Sequence, residues 1–192
     1  MIGDPLEVLL QVTRALDELG VAYVVVGSIA SSAYGETRAT MDADLVADLR
    51  DPDVERFAEV LGEEFYKDVE SIRDAVRRRG SFNVIHLAAM LKVDVFIPRR
   101  GGFDTQEIRR RRELTLPTDP EERAYFASPE DVVLHKLLWY ERGNRVSDRQ
   151  WRDAVGVIAV QRAALDRDYM RHWAARLGVS ELLDRAWCEA CP

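Results

Sequence analysis

An α+β fold, a small mixed sheet flanked by helices and followed by a helical region, is what this sequence predicts. Three observations lead there. Short β-branched runs, residues 21–26 foremost, alternate with segments of helical periodicity through the first part of the chain. From Ser128 onward the pattern is helical alone. The character changes near residues 120–128, so residues 1–122 are expected to form an α+β core and residues 123–192 a C-terminal helical region.

Taken in order, residues 4–19 place Leu6, Leu9, Leu10, Leu16 and Leu19 at helical spacing, and Gly20 closes that helix. Residues 21–26 are a buried strand by length and composition. Gly27-Ser28 breaks it, and residues 29–34 are small and apolar enough for a short helix before Gly35. Residues 42–49 read as a second strand. Asp51-Pro52 is a capping residue followed by proline, a start signal for a helix that runs to Gly62. Residues 65–69 form a weak strand, and 71–79 a charged helix closed by Gly80. Residues 82–88 and 91–97 are two strands so closely joined that an antiparallel hairpin is expected. Residues 111–117 add an edge strand that Pro117 stops. Ser128-Pro129-Glu130-Asp131 then opens a helix with a cap, a proline and first-turn acids. Further helices are expected over 147–161, 166–177 and 179–190, with Gly143 and Gly178 as breaks.

Hydrophobic residues make up 47% of the chain and charged ones 32%, a globular balance. No run approaches the roughly 18 apolar residues of a membrane span, so no membrane is expected as a partner. The first twenty residues carry Asp4, Glu7, Asp17 and Glu18, which is wrong for a secretory signal, and a cytoplasmic location is expected. A net charge of -7 argues against broad binding to duplex nucleic acid. It leaves room for a local basic groove. Arg77 to Arg79 and the run Arg109 to Arg112 read as solvated faces or loop edges, or as a contact surface for phosphates. Of 27 cationic residues only Lys67, Lys92 and Lys136 are lysines. A lysine kept against that bias is a point charge suited to phosphate. Cys188 and Cys191 lack a second ligand pair and read as free thiols at a helix end. His86, His135 and His172 show no metal-ligand spacing and read as structural, and the four tryptophans read as core packing.

Three features carry chemistry. Val24-Val25-Val26-Gly27-Ser28 is a buried strand turning into a helix, whose first N–H groups and dipole suit a phosphate. Glycine allows close backbone approach and the serine hydroxyl adds a donor. Asp42-Ala43-Asp44 puts two carboxylates on one face of a strand. They repel unless a cation lies between them, and hard oxygen ligands of this kind suit Mg²⁺ or Mn²⁺. Asp94, inside Lys92-Val93-Asp94-Val95-Phe96-Ile97, is a costly charge in an apolar strand. It joins the other two if its strand lies beside theirs, and otherwise faces outward.

Thirteen residues separate Ser28 from Asp42. With that spacing and a distant third acid, residues 20–98 resemble the DNA polymerase β-type nucleotidyltransferase superfamily. Arg38-Ala39-Thr40-Met41-Asp42-Ala43-Asp44 looks like its minimal bacterial members, which include abortive-infection-type toxins and uncharacterised relatives. Ala43 is smaller than the branched residue usual there. The resemblance implies a nucleotidyltransferase fold and transfer of a nucleoside monophosphate from ATP or another NTP to a hydroxyl acceptor on RNA, protein or a small molecule. It implies that Gly27 and Ser28 hold the triphosphate, that Asp42 and Asp44 bind both metal ions, and that Asp94 binds the catalytic one and helps deprotonate the attacking hydroxyl. Arg38 and Lys136 are candidates for phosphate charge, against plain surface ion pairing. The alternative is a catalytically silent binding module or a toxin–antitoxin component, associating as a homodimer or with a cognate partner protein. An aspartyl-phosphate phosphatase, which also uses Asp-x-Asp, ranks third because a strand and Gly-Ser precede the pair.

Overall fold

The computed structural model describes residues 4–35, 40, 42–115 and 122–191. Within them the chain runs α1 (Pro5–Glu18), β1 (Tyr23–Val26), α2 (Gly27–Tyr34), β2 (Ala43–Ala47), a helical turn at 51–53 and α3 (Val54–Leu61). There follow β3 (Phe65–Tyr66), α4 (Val69–Arg78), β4 (Ser81–His86), β5 (Leu91–Phe96), α5 (Phe103–Arg110), β6 (Arg112–Thr115) and β7 (Arg123–Phe126). The remainder is helical: α6 (Pro129–Arg142), α7 (Asp148–Gln161), α8 (Arg167–Leu177) and α9 (Ser180–Ala190), with a short turn at 162–164. The fold is the expected α+β one.

Local chemistry accounts for the element ends. Asp4 accepts a hydrogen bond from the Leu6 N–H at 2.9 Å, and Pro5 opens α1. Asp68 caps α4 by accepting from the Glu70 and Ser71 N–H groups. The Ser71 hydroxyl donates to it at 2.7 Å, and these bonds hold its carboxyl below the ordinary carboxylate value. Ser128 accepts from the Asp131 N–H at 3.3 Å, so the start signal read at α6 operates as a cap. Gly143 and Gly178 end α6 and α8.

The described strands form one sheet in the order β3-β4-β5-β2-β1-β7-β6. β2 runs parallel to β5, and β1 parallel to β7, while the other pairings are antiparallel. β1 is buried along its whole length because it is central. α1 packs on α3 and against β2 and β5, α4 lies on β4, and α5 touches β1 and β2. Leu9, Leu16, Tyr23, Leu45 and Phe57 are among the largest fully buried side chains there. Each such aliphatic or aromatic burial contributes about 1.5–3 kcal/mol. The edge strand β6, with Arg112, Glu113 and Thr115 largely exposed, carries the polar residues that protect a sheet edge.

The chain divides into two compact units, with boundaries between residues 29 and 30, 39 and 40, and 126 and 127. The first holds the sheet with α1, α3, α4 and α5. The second holds the body of α2 with α6 to α9, where α7 packs on α6 and α9. Among the described residues no helix is long and apolar enough to cross a membrane.

Two local expectations are revised. Gly27 and Ser28 do not precede the helix; they are its first residues, because Gly27 turns the chain within one residue at φ +67°. The run Arg109 to Arg112 covers the end of α5, the single connecting residue Arg111 and the start of β6, with Arg109 and Arg112 exposed. Helix α5 and strand β7 had no visible signal, since α5 buries only Phe103, Glu107 and Ile108, and β7 is four residues long. Pro117 lies outside the described residues. Cys188 and Cys191 are exposed at the end of α9.

Candidate active site

The site begins where β1 becomes α2. In the antiparallel pairing of β1 with β2, Val26 stands opposite Asp44. Gly27 follows at φ +67°, in the left-handed region that a Cβ disfavours. Space forbids a side chain as well. A Cβ on Gly27 would come within 2.1 Å of the Asp44 Oδ2. The backbone at the head of α2 is therefore pressed against a carboxylate of β2, an approach open to glycine alone. Gly27→Ala should lower stability by about 1–3 kcal/mol, the cost of a strained backbone position, and a urea melt reads it. Ser28, the next residue, is buried.

The decisive register is that of β2 on β5. The two strands are parallel, and Asp44 pairs with Asp94. Side chains of residues in register share a face of the sheet, so both carboxylates lie on one side, in neighbouring strands. Both are half-buried. Asp42 is exposed and sits one residue before β2, on the alternation that carries Asp44. The Thr40 hydroxyl fixes its backbone, accepting from the Asp42 N–H at 3.2 Å and donating to its carbonyl at 3.4 Å.

Lys92 senses all three acids. Two residues before Asp94 on β5, it brings its Nζ to 2.6 Å from the Asp94 Oδ2. Its ammonium is held above the ordinary lysine value, first by the hydrogen bond to Asp94, with the charges of Asp94, Asp44 and Asp42 adding to it and burial opposing. Asn83, paired with Asp94 across β4, shares the face. Neither Lys92 nor Asn83 emerges from the sequence as a member of the acidic group. For Lys92 the signal was present: a rare lysine two positions from an acid in the same strand.

Carboxylate oxygens are donors of the kind that hard divalent ions take, and of the three it is Asp44 that stands against the Gly27 turn. Among the described residues no three such side chains are already closed into a metal-binding group. Lys92 is a cation the acids already engage.

Lys136 is buried in α6, with Nζ 2.7 Å from the Asp153 Oδ2 of α7. This is an interior ion pair of the second unit and not a surface one. Arg38 lies outside the described residues. The His86 Nδ1 accepts from the Ala89 N–H at 3.1 Å and its ring meets Phe65 edge-on, a structural role. His135 stacks on Trp139.

No family model matches the chain, and no curated protein matches it. Solved structures do. An antigenic nucleotidyltransferase-like protein of Paracoccidioides brasiliensis superposes with a TM-score of 0.55 at 14% identity, over 96% of this chain and 92% of its own. The antibiotic-resistance factor ANT(2'')-Ia gives a TM-score of 0.59 at 15% identity, over 95% of this chain and 99% of its own. The chain has a nucleotidyltransferase fold. At such identities the likeness is one of fold, and the chemistry has to be argued from the acids.

Proposed function

We propose that the protein is a metal-dependent nucleotidyltransferase that moves a nucleoside monophosphate from an NTP to a hydroxyl acceptor. The observation that carries this reading is the pairing of Asp44 with Asp94 beside the Gly27–Ser28 turn. The head of α2 offers backbone N–H groups, the positive end of a helix dipole and the Ser28 hydroxyl to the triphosphate. Asp42 and Asp44 would hold Mg²⁺ or Mn²⁺, and Asp94 would complete the set and take up the proton of the attacking hydroxyl. Bound divalent ions neutralise charge on the attacking and leaving oxygens of an in-line displacement at the α-phosphorus. Pyrophosphate leaves as the new phosphodiester bond forms. The chain's part is positioning, with reacting groups held in line by a rigid sheet and helix terminus. Arg38 and Lys136 remain proposed sources of phosphate charge.

Incubation of the full chain with each labelled NTP, Mg²⁺ and cell lysate tests this. Label should appear on RNA, on protein or on a small molecule, which also identifies the acceptor class.

A second reading, a silent module or toxin–antitoxin component that keeps the fold for binding, is favoured by Lys92, whose ammonium already offsets the charge of the acids. Removal of that charge separates the two. In an enzyme Lys92→Gln should tighten Mn²⁺ binding roughly fivefold, because about 1 kcal/mol of charge competition is lifted at a half-exposed site. Paramagnetic resonance of free Mn²⁺ measures it. A silent module binds no Mn²⁺ with or without the lysine.

A further inference from the structure

At the end of the sheet away from the acids, a cleft of about 740 Å³ opens in the first unit. Its position follows from the pairing. β1 and β2 are antiparallel, so Val26 and Asp44 mark one end, while the Asp48 N–H bonded to the Ala22 carbonyl marks the other. Four residues of strand, about 13 Å, separate Asp44 from Asp48.

Four arginines line this cleft, Arg50, Arg79, Arg100 and Arg109, against two acids, Asp48 and Asp51. The excess of positive charge stands out in a chain of net charge -7. Asp51 is also claimed from outside the cleft, by Arg77 at 3.3 Å, while Asp48 is shared within it by Arg50 at 3.5 Å and Arg79. Arg79 is anchored. Its Nη1 donates to the Pro98 carbonyl at 2.8 Å and stands 3.6 Å from the Asp48 Oδ1. It also occupies the left-handed position closing α4, at φ 54°, where glycine costs less, although Gly80 is the next residue. Arg100, on the loop after β5, and Arg109, in the last turn of α5, are exposed and form no ion pair among the described residues. Two guanidinium groups, those of Arg100 and Arg109, are thus left to engage a ligand carrying several negative charges.

We propose that this cleft is a second anion site, which takes an oligophosphate chain, either free or as part of a nucleotide. Planar N–H forks match phosphate oxygens in pairs. The volume falls in the range of small-ligand sites, about 300–1,000 Å³. The proposal does not depend on the acids being catalytic.

Calorimetry of the full chain with sodium tripolyphosphate, in EDTA and low salt, tests it, with two-dimensional NMR to place the ligand. Binding at one site is expected, with the amide signals of Gly101 and Thr105 shifting. Arg100→Ala/Arg109→Ala should weaken binding about tenfold or more, the loss of at least one charge-assisted contact, and keep its melting temperature. Arg100→Lys/Arg109→Lys should lose less. Asp44→Asn should bind as the parent does. A parallel titration with ATP, read at the same two amides, separates the sources: tighter binding assigns a nucleotide, equal binding the phosphate chain alone. The proposal is overturned by absent binding, by an unchanged Kd in the double alanine variant, by shifts confined to Gly27 and Ser28, or by a decameric RNA that binds where tripolyphosphate does not.

Discussion

Asp44→Asn and Asp94→Asn should each cut nucleotidyl transfer by about a thousandfold or more, the rate equivalent of several kcal/mol of charge stabilisation, while the fold stays intact. Asparagine keeps the shape of aspartate and one oxygen but loses the charge that a divalent ion needs. The two positions face one another across the β2–β5 pairing, so neither can replace the other. Stability gives the second half of the result. All three carboxylates act on Lys92, and removing one of them relieves repulsion in the metal-free protein. For Asp44→Asn the thermal midpoint should therefore hold or rise. For Asp94→Asn it should hold, because relief of repulsion is offset by the lost contact with Lys92. Labelled transfer at saturating Mg²⁺, with a circular-dichroism melt on the same samples, measures both. Transfer at the parental rate in either variant would remove the acids from the mechanism.

How far the sequence led depends on whether the relevant physics was local. The cap at Ser128, the proline after it and the first-turn acids involve neighbours a few residues apart, and α6 begins where they place it. The apolar run before Gly27 is likewise its own signal, and β1 is buried throughout. Register is different. Nothing local in residues 42–49 or 91–97 says that these strands lie side by side and parallel, about fifty positions apart, with Asp44 on Asp94. Two things pointed that way, a charge among Val93, Val95 and Phe96 that needs a partner and the resemblance that groups Asp94 with Asp42 and Asp44. Helix α5 stayed hidden for the opposite reason: few apolar residues, a glycine pair before it and arginines at its end leave almost no periodicity to read. The arginines of the second cleft come from four separated segments and meet only in the folded chain.

Lys136→Met should destabilise the protein more than Gly27→Ala or the loss of any of the three acids, at about 3–5 kcal/mol, the usual cost of stranding one member of a buried ion pair. The lysine is 3% exposed and its partner Asp153 9%, so water solvates the charge left behind only poorly. The Ser31 hydroxyl, which donates to the same Asp153 oxygen at 3.3 Å, is neutral and cannot stand in for an ammonium. Against a total stability of about 5–15 kcal/mol, the variant should unfold at much lower urea. Lys136→Met/Asp153→Leu should recover most of the loss, because an apolar pair of similar volume carries no charge to desolvate. That double variant also decides what the lysine is for. With the fold restored, transfer at the parental level makes the pair structural, a clamp between α6 and α7. A restored fold with transfer reduced and the KM for NTP raised would assign the ammonium to the substrate's phosphates, with Asp153 holding it in place.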